Sequence, residues 1–313
     1  MFDKAEFLSG NSKTQNALSF FLSNSLKFAN LPSMNLRLHT WLFAGVHSCL
    51  WLLTLCLTFS ANAFQIEPSI GTNGFFRVQF PTMIGYDYLL YWGPEANEAY
   101  PMVYRVRGTG GVCELEDSNP PTDARSFYRV RQLPLHLVIN EIDYDQIGTD
   151  AFSFIEIYNP SLFSVSLTNL AVVLVDGVTN GEYNRFNLSQ AAPVLSAGGY
   201  LVIRNNAVEV PGMTPTIDVV GDFIQNGSPD GLALVDTSAQ TLIDALSYGG
   251  SITNAQITGF TNRINLVEGN RNIFFDSNTA NVSLIRYRNG LDTDDAIFDW
   301  NRSFTPTPGT FNQ

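Results

Sequence analysis

The chain has 313 residues, 17 Lys+Arg against 29 Asp+Glu, 45% hydrophobic and 12% aromatic content. That composition supports a packed core rather than disorder, and the acidic balance disfavours a phosphate-backbone partner such as nucleic acid. Three cysteines and three histidines leave little material for thiol, imidazole or zinc chemistry.

Residues 1–33 show no helical periodicity, caps or targeting logic and read as an extension upstream of the true start. From Met34 the pattern is that of a secretory signal: Arg37 as n-region, Leu50 to Phe59 as h-region, and Ala61-Asn62-Ala63 as the small-x-small cleavage site. Cleavage after Ala63 is the expectation, with Trp41 to Phe59 retained as an anchor as the alternative. The signal carries Cys49, Cys56, His39 and His47 away, so a chain starting at Phe64 keeps Cys113 and His136 alone. It also keeps 13 basic and 27 acidic side chains, net −14. No later apolar run approaches the ~20 residues of a membrane span.

Past Phe64 the pattern is all-β: period two or short apolar runs, broken by Gly, Asn, Pro and Asp. Phe75 to Phe80, Tyr86 to Trp92, Met102 to Arg107 and Phe127 to Arg131 predict a small antiparallel unit over 64–133. Gly108 to Arg125 reads as a turn-rich loop carrying Cys113. Pro134 marks a seam, and 134–313 forms the second unit. Its strands are expected at 135–144, with His136 on an apolar strand, and at 154–158, 170–175, 200–204, 232–236, 242–247 and 282–287. Asn180-Gly181, Gly198-Gly199, Asn226-Gly227, Asp230-Gly231, Gly249-Gly250 and Asn289-Gly290 supply turns, and 232–236 with 242–247 should form a hairpin. Such spacing predicts a sandwich.

Specific strings then become recognisable. Ile139-Asn140-Glu141-Ile142 with Asp143-Tyr144-Asp145, then Phe154-Ile155-Glu156-Ile157-Tyr158-Asn159, resembles the opening of a lamin tail domain. Leu195 to Ile203, Ile224 to Leu234 with Asn226, Asp230 and Gly231, Leu242 to Gly250, Ser283 to Arg286, Asp299-Trp300 and Thr305 to Thr310 follow in order. The resemblance covers about 135–313. It implies an immunoglobulin-like β-sandwich used as an interaction module, in exported bacterial proteins often beside hydrolases or surface repeats. Ser153 stands where the family usually has an acid, which weakens any cation site relying on that position. Residues 64–133 are similar to short fibronectin-type-III-like units.

Two kinds of chemistry remain as candidates. Glu141 and Glu156 form a carboxylate pair suited to general acid–base work, or to fixing strand ends beside Asn140 and Asn159. Asp143, Asp145 and Asp150, and separately Asp292, Asp294, Asp295 and Asp299, suggest Ca²⁺ loops, although Asp143 to Gly148 matches only the first half of an EF-hand loop. Ordinary solvated turn acids are the simpler reading. Tyr86, Tyr88, Tyr91 and Trp92 make either a sugar platform or core. The expected protein is an exported, non-catalytic binding protein without a cofactor, facing an extracellular or envelope protein or polysaccharide. A carboxylate-dependent, Ca²⁺-assisted hydrolase is the alternative.

Overall fold

The computed structural model describes residues 66–72, 74–93, 102–118 and 127–312. Residues 1–63, where a signal and an upstream extension are expected, lie outside the described residues. The chain divides between Gln132 and Leu133 into two units.

In the first unit, β1 (Glu67–Ile70), β2 (Phe76–Pro81), β3 (Tyr86–Gly93), β4 (Met102–Arg107), β5 (Val112–Asp117) and β6 (Phe127–Pro134) make two three-stranded sheets, β1-β2-β5 and β4-β3-β6. Alternation along β2 buries Phe76, Val78 and Phe80 against Tyr88, Leu90, Tyr128 and Val130, with Phe76 stacked on Tyr128 at 3.8 Å. Tyr88 is fully buried, and Tyr86 and Trp92 pack against the same core. The expected loop at 108–125 contains β5. Its outward acids disguised it: Glu114 and Glu116 face Gln79 and Arg77 across the ladder, while Leu115 points inward. Cys113 therefore lies on a strand, not in a loop.

The second unit contains β7 (Val138–Asp143), β8 (Phe154–Tyr158), β9 (Val165–Ser166), β10 (Leu170–Asp176), β11 (Gly181–Asn187), β12 (Val194–Leu195), β13 (Tyr200–Asn205), β14 (Thr216–Val219), β15 (Asp230–Asp236), β16 (Thr241–Tyr248), β17 (Ser283–Arg286), α1 (Ala296–Asp299) and β18 (Trp300–Ser303). A four-stranded sheet, β11-β10-β15-β16, and a six-stranded sheet, β14-β13-β8-β7-β17-β18, enclose one core. Val172, Leu174, Leu232, Leu234 and Leu246 from the first meet Ile139, Ile142, Ile155, Ile157, Leu201 and Leu284 from the second. Among the described strands of this unit all ladders are antiparallel except β13–β14, which is parallel.

β10 and β15 are unbroken apolar runs because both their faces are covered. Ala171, Val173, Val175, Ala233 and Val235 pack under Ile252, Ala255, Ile257, Phe260 and Leu266 of the segment after β16. The β15–β16 hairpin forms as expected. Asp230-Gly231 is not a turn: the pair opens β15, and a Cβ on Gly231 would lie 2.9 Å from the Leu246 carbonyl oxygen. Tight packing, rather than a left-handed φ, is what calls for glycine there. His136 sits in the connector before β7, not on a strand.

Candidate functional site

A bulge in β7 positions the first cluster. Ile139 pairs with Ile157, but Glu141, not Asn140, pairs with Glu156, so Asn140 is the extra residue. Such an insertion re-aims side chains, and it keeps Ile139 and Ile142 in the core while Asn140 and Glu141 join other partners. Glu141 and Glu156 are both wholly buried. Glu141 accepts from the Ser283 hydroxyl at 2.5 Å, the Thr307 amide at 3.0 Å and the Thr307 hydroxyl at 2.9 Å. Glu156 accepts from the Asn140 amide group at 2.7 Å and the Gly309 N–H at 2.6 Å. Burial raises both carboxyls, Glu156 further because Glu141 lies beside it. The pair thus fastens the C-terminal segment to the sheet. Asn159 acts similarly: its amide group donates to the Phe163, Leu195 and Ser196 carbonyls, and its oxygen accepts from Ser161.

The second cluster lies between the sheets. Arg286 of β17 is fully buried. It donates to the Ile139 carbonyl (2.8 Å), the Leu291 carbonyl (3.1 Å) and Asp244 of β16 (2.6 Å), and it pairs with Asp292 at 3.3 Å, Asp299 at 3.4 Å and Glu268 at 3.7 Å. Its guanidinium carbon stands 5.2 Å from the ring centre of buried Trp300. His136 Nε2 meets Asp292 at 3.2 Å while Nδ1 contacts the Leu137 carbonyl. Burial opposes a charged imidazole, yet Asp292 pushes the His136 pKa up to about 9. Burial likewise opposes ionisation of Asp292, but Arg286 and His136 hold that carboxyl below its ordinary range.

Four acids thus face two cations, and protons make up the difference. Burial and Asp244 raise Glu268 well above the usual carboxylate range, and burial pushes Asp299 up to about 7 despite Arg286. Among the described residues Glu268 Oε2 has no hydrogen-bond partner and lies 3.7 Å from Arg286. Asp244, Glu268 and Asp292 present oxygens within 4.8 Å of one another, a spacing a metal would accept, but Arg286 already stands as their cation.

The residues of the second acidic group point in different directions. Asp292 and Asp299 turn inward to Arg286, whereas Asp295 accepts from the Asn270 backbone and side chain. Asp294 sits at φ 50 with its amide donating to Asp292. Glu268 and Asp244 were missed by sequence reasoning. The available signal was an acid within the apolar run Leu242 to Leu246 and an arginine closing Val282 to Arg286.

The first Ca²⁺ group does assemble, with Asp276 added. Burial and the Asp276 charge push Asp143 up to about 8, and burial pushes Asp276 up to about 7. Nitrogen donors already occupy these oxygens. Gln146 Nε2 lies 2.5 Å from Asp143, the Tyr144 and Asp145 amides donate to Asp276, and Asn226 Nδ2 bridges Asp145 and Asp150 at 3.2 and 2.8 Å. Gln146 Oε1 accepts from the buried Ser153 hydroxyl at 3.4 Å.

Asp230, buried at the start of β15, accepts from the Gly177 amide at 3.2 Å, and burial raises its carboxyl. With the geometry in place, the comparison with known families is decisive for the second unit: residues 132–250 match the model of the Lamin Tail Domain. The chain carries a lamin tail domain. No curated protein and no solved structure matches the chain. The lamin tail match ends at Gly250, but β17, β18, Arg286 and the segment gripping Glu141 and Glu156 complete the same sandwich beyond it. No helix among the described residues is long and apolar enough to cross a membrane.

Proposed function

We propose that the chain is exported and presents its lamin tail sandwich as a non-catalytic interaction module to an extracellular or envelope protein or polysaccharide. The observation that carries this reading is the state of the carboxylate pair. Glu141 and Glu156 are the residues a hydrolase would use, and both are wholly buried with their oxygens engaged by Thr307, Ser283, Asn140 and Gly309. A general acid must reach a substrate proton at hydrogen-bond distance, and neither group is accessible to one. The signal-like sequence at 34–63 supports export. The acidic balance suits solubility outside the cell.

The reading assigns no cofactor. Retention of the tagged protein on cell-wall and matrix fractions tests it, alongside hydrolysis assays on polysaccharide and peptide substrates. Saturable retention with no turnover is the expected result. Turnover abolished by Glu141→Gln would favour the carboxylate-dependent hydrolase instead.

A further inference from the structure

The segment from Thr305 to Asn312 follows β18, lies outside every strand, and makes a series of polar contacts with the sheet. Thr307 gives its N–H and hydroxyl to Glu141, and Gly309 gives its N–H to Glu156. Asn312 donates from its side-chain nitrogen to the Asn140 carbonyl at 2.8 Å, its backbone N–H donates to the Asn289 side-chain oxygen at 3.1 Å, and its own side-chain oxygen accepts from the Thr307 hydroxyl at 3.2 Å. Thr310 folds back on the Thr307 carbonyl. Phe304 before this stretch and Phe311 within it are both more than 60% exposed, while Pro306 and Pro308 are half-buried. Gly309 has φ 82, and a Cβ there would lie 3.0 Å from Pro211 and 3.1 Å from Thr214. The receiving side is prebuilt: Asn140 is fixed by Asn289 and the Gly290 amide, and Asn289 by the Tyr200 hydroxyl.

We propose that Asn140, Glu141, Glu156 and Asn289 form a peptide-recognition cleft specific for a Thr-x-Gly-x-x-Asn segment that turns at its glycine, filled here in cis by residues 305–312. The chemistry sets the specificity. Two buried carboxylates select backbone N–H donors and a threonine hydroxyl, and the wall at Pro211 and Thr214 admits only glycine between them. A tethered segment competes at an effective concentration on the order of millimolar, so the cleft accepts a free peptide only when the cis segment is weakened. This inference stands apart from export and from the partner of the module.

The test uses the whole chain and a fluorescein-labelled synthetic peptide of residues 303–313. Gly309→Ala, which obstructs the cis segment, should bind the peptide saturably, and the unaltered chain should bind it at least about tenfold more weakly. Adding Glu156→Gln to Gly309→Ala should weaken binding by about tenfold or more, the scale of one charge-assisted hydrogen bond. A folded Gly309→Ala chain that binds no peptide, or binding indifferent to Glu156→Gln, overturns the proposal. Hydrogen exchange on the unaltered chain covers the case in which Gly309→Ala does not fold. The Gly309 and Asn312 amides should then exchange at least about tenfold faster than those of β7 and β8, through an opening of their own. Exchange in step with β7 and β8 would show a fixed part of the fold and overturn it.

Discussion

Replacing Arg286 by methionine removes the cation that holds the two sheets' buried acids together. Methionine fills most of the aliphatic volume, so the loss is chiefly electrostatic. Asp244, Asp292 and Asp299 lose their ion pairs, the Ile139 and Leu291 carbonyls lose a donor, and Trp300 loses its cation–π contact. Leaving buried charge uncompensated costs about 3–5 kcal/mol. At roughly 2–4 °C per kcal/mol for a unit of this size, melting should fall by about 6–20 °C. Trp300 lies against Arg286, so its fluorescence in a Trp92→Phe background, in protein beginning at Phe64, reports the right unit. Arg204→Met is the control: it breaks the pair with Asp218, which is 54% exposed, and should cost under about 1 kcal/mol. A fall below about 2 °C for Arg286→Met would refute the reasoning, because the acids would then have no need of the guanidinium.

Further outcomes are expected. His136 is raised to about 9, so its contribution is whole below the unfolded pKa near 6.5 and fades as pH rises through 9. Asp143, Asp276 and Asp299 are raised to about 8, 7 and 7, so their folded forms prefer the proton and their ionisation between pH 4 and 8 costs stability. Both effects have one sign: the melting temperature should rise from pH 8.5 to pH 5.5, and a flat or opposite profile in scanning calorimetry would contradict it. Millimolar CaCl₂ should give no heat by titration calorimetry and no change in melting temperature, since amide donors occupy the oxygens of Asp143, Asp145 and Asp150; a clear upward shift would reopen that site. Gly231→Ala should destabilise the sandwich by about 1–3 kcal/mol in urea, its methyl group meeting the Leu246 carbonyl; an unchanged midpoint would argue against the close packing of β15 on β16.

The strands that declared themselves were those with one or two apolar faces: β10 and β15, covered on both sides, and β2, which alternates. β5, β11, β14 and β18 did not. β5 presents glutamates to the partner strand, β11 and β14 are half-exposed edges, and β18 carries Asn301 and Arg302 between Trp300 and Ser303. Each gains its strand conformation from pairing with a neighbouring strand, which its own local periodicity does not record. The carboxylate pair was visible as residue types, but its role was not, because its partners Thr307 and Gly309 lie more than 150 residues away. Of the two acidic groups, spacing along the chain could not separate Asp143, Asp145 and Asp150, which converge on one loop cluster, from Asp292 and Asp299, which Arg286 draws inward.

The account stands or falls on the identity of the mature N-terminus. Mass spectrometry of the protein recovered from culture medium and from cells reads it directly. A terminal peptide starting at Phe64 outside the cytoplasm is the outcome expected of an exported module; intact chain starting at Met1 and confined to the cytosol would contradict it.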